Sequence, residues 1–173
     1  MEKGADSRLT IAINAIGDLM DALVEKGITA TVTVVTFASS ANTLASVNGK
    51  TVANQTDADA VKSALTNVTA SGGTYMNNGL KKAEEEFKTD TTAQQVLIML
   101  ADGDYNGTNP YPTDGECAAK RMEEAAIDIY TIAFTTDIDV MAEIAANNGK
   151  YSTASDKTAL DSIFSSIANY MTA

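Results

Sequence analysis

The chain has 173 residues, enough for one domain with a sizeable core, and carries a formal net charge of −11. Its few Lys and Arg residues are scattered, which disfavours nucleic acid and anionic membrane surfaces as partners, since both need clustered positive charge. One cysteine and no histidine exclude an internal disulfide, His-based catalysis and an ordinary zinc site.

Hydrophobic periodicity predicts a first helix over residues 7–26. The β-branched run TATVTVVTF (29–37) predicts a strand that is buried on both faces towards its end. A hairpin is predicted next, because Asn48-Gly49 is a strong turn signal between two strand-like segments. We expect Asp57 or Asp59 to cap the helix that follows, which should run to about residue 67.

Helical and apolar segments alternate through the rest of the chain. Further helices are predicted at 77–87, 115–125, 137–147 and 157–171, and strands at 94–103, 127–134 and 151–153, the first of them the clearest buried strand. This alternation predicts a single α/β domain with a doubly wound, mostly parallel sheet and helices on both faces. Such sheets bind ligands outside the carboxyl ends of their strands, so the loops that follow strands are the places to search.

Two of these loops carry candidate ligand-binding residues. In LADGDYNG, Asp102 stands where an apolar strand ends, although an Asp there also serves to cap a turn. In SGGTYMNNG, two glycines let the backbone approach a ligand and Thr74 offers a hydroxyl near a helix N-terminus. A simple helix cap is the alternative for this Thr. Together they are hard oxygen ligands that suit Mg²⁺, but a full shell needs at least two more oxygens than these loops supply.

Four stretches in this order resemble the von Willebrand factor A domain, the fold shared with integrin inserted domains. They are TVTVVTFASSA, ASGGTYMNNGLKKAEE, LIMLADGDYNG and AIDIYTIAF. The resemblance covers nearly the whole chain and implies a Rossmann-like domain used for protein–protein binding or adhesion.

The resemblance also implies a metal-ion-dependent adhesion site. In the family this site combines an Asp-x-Ser-x-Ser motif after the first strand with a Thr and an Asp from two later loops. Thr74 and Asp102 match the last two, and Asp104 and Tyr105 would line the rim. Mg²⁺ or Mn²⁺, with Ca²⁺ as an alternative, would bind there, and a carboxylate of a protein partner would complete the shell.

The Asp-x-Ser-x-Ser motif and its strand do not occur in the sequence, so the domain is expected to be incomplete at its N-terminus. By the resemblance, that strand lies between the strands predicted at 29–37 and 94–101. We expect it to come in trans, from a separate peptide or a neighbouring copy, because a gap would leave rows of unpaired backbone groups. Otherwise the two flanking strands would have to pair directly. Without the strand, metal binding should be weak or absent.

An EF-hand-like calcium loop at 102–113 is a less favoured alternative. Asp102, Asp104 and Asn106 fit the opening of that pattern, with Gly107 after them. The pattern then requires Glu at its twelfth position, where Thr113 stands. A strand is also predicted before the loop, where an EF-hand has a helix.

Two further interpretations remain open. An enzyme is disfavoured, because no phosphate-binding or dinucleotide-binding glycine motif is present and Cys117 falls inside a predicted helix as a small packed residue. A metal-free scaffold, or a fibre subunit that exchanges strands, is the alternative to an adhesion module. The composition suggests a bacterial cell-surface or extracellular protein, of which this domain would be a part. A native start at Met1 would instead indicate the cytoplasm.

Overall fold

A computed structural model describes residues 7–88, 91–147 and 149–171, so Met1 lies outside the described part. The elements in chain order are α1 (Arg8–Glu25), β1 (Ala30–Val32), β2 (Val35–Phe37), β3 (Ala41–Thr43), a 3₁₀ turn (Ala45–Val47), β4 (Lys50–Val52), α2 (Gln55–Leu65), α3 (Met76–Glu86), β5 (Val96–Ala101), α4 (Ala118–Glu124), β6 (Asp128–Phe134), α5 (Asp139–Ile144), β7 (Gly149–Ala154) and α6 (Lys157–Tyr170). They form two compact units. The first contains the described residues of 1–34, 43–71 and 155–173, and the second those of 35–42 and 72–154.

The first unit is built on α1, which packs against α2 and α6. The Ser7 side chain caps the start of α1 by accepting a hydrogen bond from the Thr10 amide at 3.2 Å. Gly27, with a φ of +69°, follows its end and takes the left-handed conformation that glycine adopts easily. The predicted first helix is therefore confirmed.

The predicted hairpin at Asn48-Gly49 is wrong. The strand before this turn, β3, pairs with β2, whereas the strand after it, β4, pairs antiparallel with β1. The turn is bound instead by Thr33, whose hydroxyl accepts a hydrogen bond from the Gly49 amide at 2.9 Å. The predicted strand 29–37 is accordingly two strands, β1 and β2, and neither contains a fully buried residue.

The cap of α2 also differs from the prediction. Asn54 caps this helix and accepts a hydrogen bond from the Asp57 amide at 3.2 Å. The Asp57 carboxylate instead accepts from the Ala53 amide at 3.2 Å. Asp57 therefore supports the first turn from inside the helix, and Asp59 lies further along the same helix.

The second unit contains a parallel sheet of order β5–β6–β7, which confirms the predicted α/β class. Its core is formed by apolar side chains of α3, α4, α5 and the sheet, among them Met76, Leu80, Met122, Ile129 and Met141. Four elements differ in extent from the predictions: β5, α4 and α5 are shorter and β7 is longer. Cys117, predicted inside a helix, is the buried N-cap residue of α4.

The central strand of this sheet is β6, whose last six residues are all buried. Strand β5, predicted to be the clearest buried strand, is only half-buried at four of its six positions. Among the residues that the structure describes, β5 is hydrogen-bonded to β6 alone, and β2 lies in a different sheet. Direct pairing of the strands predicted at 29–37 and 94–101 is therefore not formed.

No helix in the described part of the chain is long and apolar enough to cross a membrane.

Candidate metal centre

Two loops of the second unit meet at the carboxyl end of β5. Asp102 directly follows this strand and is half-buried, and Thr74 directly precedes Tyr75, the N-cap residue of α3. A side-chain carbon placed on Gly103 would lie 3.9 Å from Thr74 Oγ1. The Thr74 hydroxyl therefore lies beside the backbone that carries Asp102, so the structure brings together the two loops with the predicted ligands.

A reciprocal pair of hydrogen bonds joins the same two loops. The Thr74 amide donates to Asn106 Oδ1 at 2.7 Å, and the Asn106 amide donates to the Thr74 carbonyl at 2.8 Å. Both distances are at the short end of the usual range for N–H···O bonds. The side-chain oxygen of Asn106, a predicted rim or calcium-binding residue, is thus occupied by the backbone of the Thr74 loop.

Strand β2 anchors the other side of the Thr74 loop. The Tyr75 amide donates to the Ala38 carbonyl at 3.1 Å, and the Gly73 amide donates to Ser39 Oγ at 3.4 Å. Sequence reasoning did not single out Ser39. It follows the end of β2, so the rule that pointed to Asp102 could have found it.

Gly72 shows why this loop needs glycine. Its φ is +88°, and a side-chain carbon at this position would lie 2.7 Å from Ser39 Oγ. Any other residue would be strained by its backbone conformation and would collide with the serine. The glycine therefore lets the Thr74 loop pass close to the end of β2.

The remaining predicted rim residues lie on the outer part of the Asp102 loop. Asp104 is exposed, and its carboxylate accepts a hydrogen bond from the Tyr105 amide at 2.8 Å. Tyr105 is half-buried and packs against the core of the second unit. The Asp104 contact is local to the loop, whereas Tyr105 ties the loop to the core.

The loop beyond Asp102 is held to α4 by polar contacts. Tyr111 donates a hydrogen bond from its hydroxyl to Glu123 at 3.0 Å, and the Asn147 side chain donates to both. Burial and the hydrogen bond to the Glu123 carboxylate raise the pKa of Tyr111 to about 12. The Lys120 ammonium donates to the Pro112 carbonyl at 2.7 Å, so the loop has a defined shape.

The oxygen donors are of the type that a hard cation prefers, but there are too few of them to complete its coordination shell. Thr74 and Asp102 offer a hydroxyl and a carboxylate, the oxygen ligands that Mg²⁺ and Mn²⁺ prefer. Within residues 7–88, 91–147 and 149–171, no group of three or more His, Cys, Asp or Glu side chains is placed to hold a metal ion. The described residues therefore supply part of a coordination shell.

The sequence model of the von Willebrand factor type A domain matches residues 4–166. The chain belongs to this family. Domains of this family commonly mediate adhesion and protein–protein interaction, are generally not enzymes, and often bind a divalent metal at the adhesion site. No curated protein matches the chain.

Solved structures that share this fold include three from different sources. A von Willebrand factor type A protein from Catenulispora acidiphila superposes with a TM-score of 0.74 at 21% identity, over 93% of this chain and 37% of that one. Proximal thread matrix protein 1 from the mussel byssus, with a zinc-occupied adhesion-site motif, gives 0.71 at 24% identity, over 93% and 40%. The pilus adhesin SpaC from Lactobacillus rhamnosus GG gives 0.72 at 16% identity, over 94% and 28%.

At identities this low, the superpositions show a shared fold and nothing more. The chain spans about two fifths or less of the length of each of these three proteins.

Proposed function

We propose that this domain binds a protein partner through a divalent cation held in part by Thr74 and Asp102. Mg²⁺ or Mn²⁺ is the expected ion, with Ca²⁺ as an alternative, and a carboxylate of the partner would complete its shell. The main support is the placement of the Thr74 hydroxyl beside Gly103, the residue that follows Asp102.

The charge of the chain supports a bridging cation. At a formal net charge of −11, the protein repels an anionic ligand unless a cation lies between them. Asp102 and the exposed Asp104 would attract that cation, and Tyr105 would contribute to the rim. Two proteins of similar structure are consistent with this role: one is a pilus adhesin, and the other holds zinc in its adhesion-site motif.

We also propose that a strand supplied in trans completes the site, either as a separate peptide or from a neighbouring copy. In the described chain, β5 has β6 as its one neighbour, and four of its residues are half-buried although the strand is apolar throughout. An added strand would pair with the free edge of β5 and cover these side chains. Its end would then lie near Asp102, where further oxygen ligands are needed.

Calorimetric titration with Mn²⁺ tests the metal ligands, in the presence of a synthetic apolar peptide that ends in Asp-x-Ser-x-Ser. Thr74→Ala and Asp102→Asn should each weaken binding by at least about tenfold, because the loss of a mere hydrogen-bonding partner of a metal ligand already costs about tenfold or more. Thr108→Ala and Asp114→Asn are matched controls, because both residues are exposed on the loop beyond Asp102. Equal weakening by the controls would mean that the loop's general charge, and not the two ligands, attracts the ion.

Hydrogen exchange tests the added strand. In a β-strand with one neighbour, alternate amides point to the free edge and exchange rapidly. The peptide should protect these amides of β5 while leaving those already paired with β6 unchanged. If oligomers protect them without the peptide, strand exchange between copies is the source, and the metal-free fibre becomes the better interpretation.

The domain would work at a bacterial cell surface as part of a larger protein. This placement rests on the composition and on the kinds of proteins that share the fold.

A further inference from the structure

We propose that Asn106 is a positioning residue that fixes Thr74 beside Asp102. Its effect on metal binding rests on the proposed function, whereas its effect on the loop can be measured without any metal. In this role Asn106 Oδ1 accepts a hydrogen bond from the Thr74 amide, whereas in the EF-hand-like alternative Asn106 would bind calcium.

Two hydrogen bonds of opposite direction join Asn106 to Thr74. The Thr74 amide donates to Asn106 Oδ1 at 2.7 Å, and the Asn106 amide donates to the Thr74 carbonyl at 2.8 Å. The side chain and the backbone of Asn106 thus bind both backbone polar groups of Thr74, its N–H and its C=O. A cation at the same Oδ1 would compete with the Thr74 amide for that oxygen.

The loop that carries Thr74 and the loop that carries Asp102 approach each other closely. A side-chain carbon on Gly73 would lie 2.6 Å from Asn106 Oδ1, and one on Gly107 would lie 3.1 Å from the Tyr75 ring. Gly107 also has a φ of +77°. Glycine on each loop therefore makes room for the other loop, as a bridging residue between them requires.

The backbone around Thr74 is held from two directions. Asn106 binds it from the Asp102 loop, while the next amide, that of Tyr75, donates to the Ala38 carbonyl after β2. The hydroxyl of a threonine held in this way is preorganised relative to Asp102. A site formed by few protein ligands depends strongly on such preorganisation, because loop ordering otherwise opposes binding.

Amide hydrogen exchange of the metal-free protein tests the bridge directly. Asn106→Ala should accelerate exchange of the Thr74 amide by about three- to tenfold, as expected for the loss of one hydrogen bond. Asn106→Asp retains an acceptor oxygen and should restore slow exchange. Asn109→Ala is the matched control, since Asn109 makes a similar bond at 2.9 Å to the Tyr111 amide but does not contact Thr74.

Gly73→Ala gives an independent check if Asn106→Ala fails to fold. The added methyl group would displace Asn106 Oδ1 and should accelerate Thr74 exchange as well. The proposal is overturned if Thr74 exchange changes by less than about twofold in Asn106→Ala or Gly73→Ala, below the effect of one lost hydrogen bond. It is also overturned if Asn106→Asp behaves like the alanine variant.

A Mn²⁺ titration of the same variants separates this proposal from the proposed function. If the wild-type protein with the strand peptide binds no metal but the exchange result holds, the bridge is established and the metal function fails. If Asn106→Ala accelerates exchange of the Thr74 amide but binds Mn²⁺ as tightly as the wild type does, Asn106 shapes the loop without positioning a ligand. That last result would overturn the positioning role.

Discussion

Gly79 of α3 faces Phe37 at the end of β2 so closely that a methyl group at position 79 would lie 2.8 Å from the ring. Gly79 is buried within the helix, where glycine is ordinarily unfavourable compared with alanine. Its presence therefore reflects the space that the Phe37 ring needs.

Gly79→Ala should destabilise the protein despite the better helix propensity of alanine. Overpacking costs about 1–3 kcal/mol, against a propensity gain of about 1 kcal/mol. Chemical unfolding in urea measures the difference. In a Phe37→Ala background the same substitution should cost less, because only the Cβ at 3.1 Å remains, and an unchanged cost there would show that the ring is not the cause.

Thr131 makes a buried hydrogen bond inside the second unit. Its hydroxyl donates to the Met141 carbonyl at 2.7 Å, and the side chain is fully buried on β6. Thr131→Val should lower the free energy of unfolding by about 1 kcal/mol. The loss stays moderate because the Met141 carbonyl still accepts from the Ala145 amide at 3.3 Å.

Urea unfolding of Thr36→Val provides the comparison for Thr131. Thr36 also donates to a carbonyl, that of Asn42 at 3.3 Å, but this hydrogen bond is exposed to solvent. Water replaces an exposed bond, so this variant should change stability by less than about 0.5 kcal/mol. Equal losses in the two variants would contradict a special role for burial.

Tyr111 should ionise at high pH. Burial and the neighbouring Glu123 carboxylate raise its pKa from 10.0 to about 12, because both disfavour the phenolate. The raised pKa means that the stabilisation from the neutral phenol is fully present below pH 10.0 and is lost as the pH rises through about 12.

Absorbance of the phenolate band during a pH titration measures this ionisation. Tyr111→Phe should remove the component near pH 12, whereas Tyr170→Phe, which removes an exposed phenol, should leave it in place. If Tyr111→Phe removes a component near pH 10 instead, the contact with Glu123 is not formed in solution.

The elements predicted well are those whose signal is long and local. The helix α1 has an apolar face repeated over 18 residues and a defined cap, and β6 (Asp128–Phe134) follows the β-branched and apolar run IDIYTIAF almost to the residue. The turn at Asn48-Gly49 was mispredicted because its local preference was read as a hairpin, whereas Thr33 binds the Gly49 amide and β4 pairs with β1.

Burial of β5 could not be predicted from its own residues. Its sequence VLIMLA is as apolar as that of a central strand, but burial depends on a neighbour on each side, and in the described chain it has one. The same applies to β2. These half-covered strands are the observation on which the proposal of an added strand rests.

Only part of the candidate metal centre could be predicted from the sequence. Asp102 is predictable because it follows an apolar strand, where ligands commonly bind, and Thr74 because it follows two glycines just before a helix. The bridging role of Asn106 depends on which loops touch, and 32 residues separate Asn106 from Thr74. A pattern of residue types cannot supply that contact.

The ligand role of Thr74 and Asp102 is tested most directly by native mass spectrometry with Mg²⁺, with and without the Asp-x-Ser-x-Ser peptide. We expect one peptide and one divalent ion on the wild-type chain, and the peptide without the ion on Asp102→Asn. The same ion count in the wild type and in Asp102→Asn would contradict the proposed metal site.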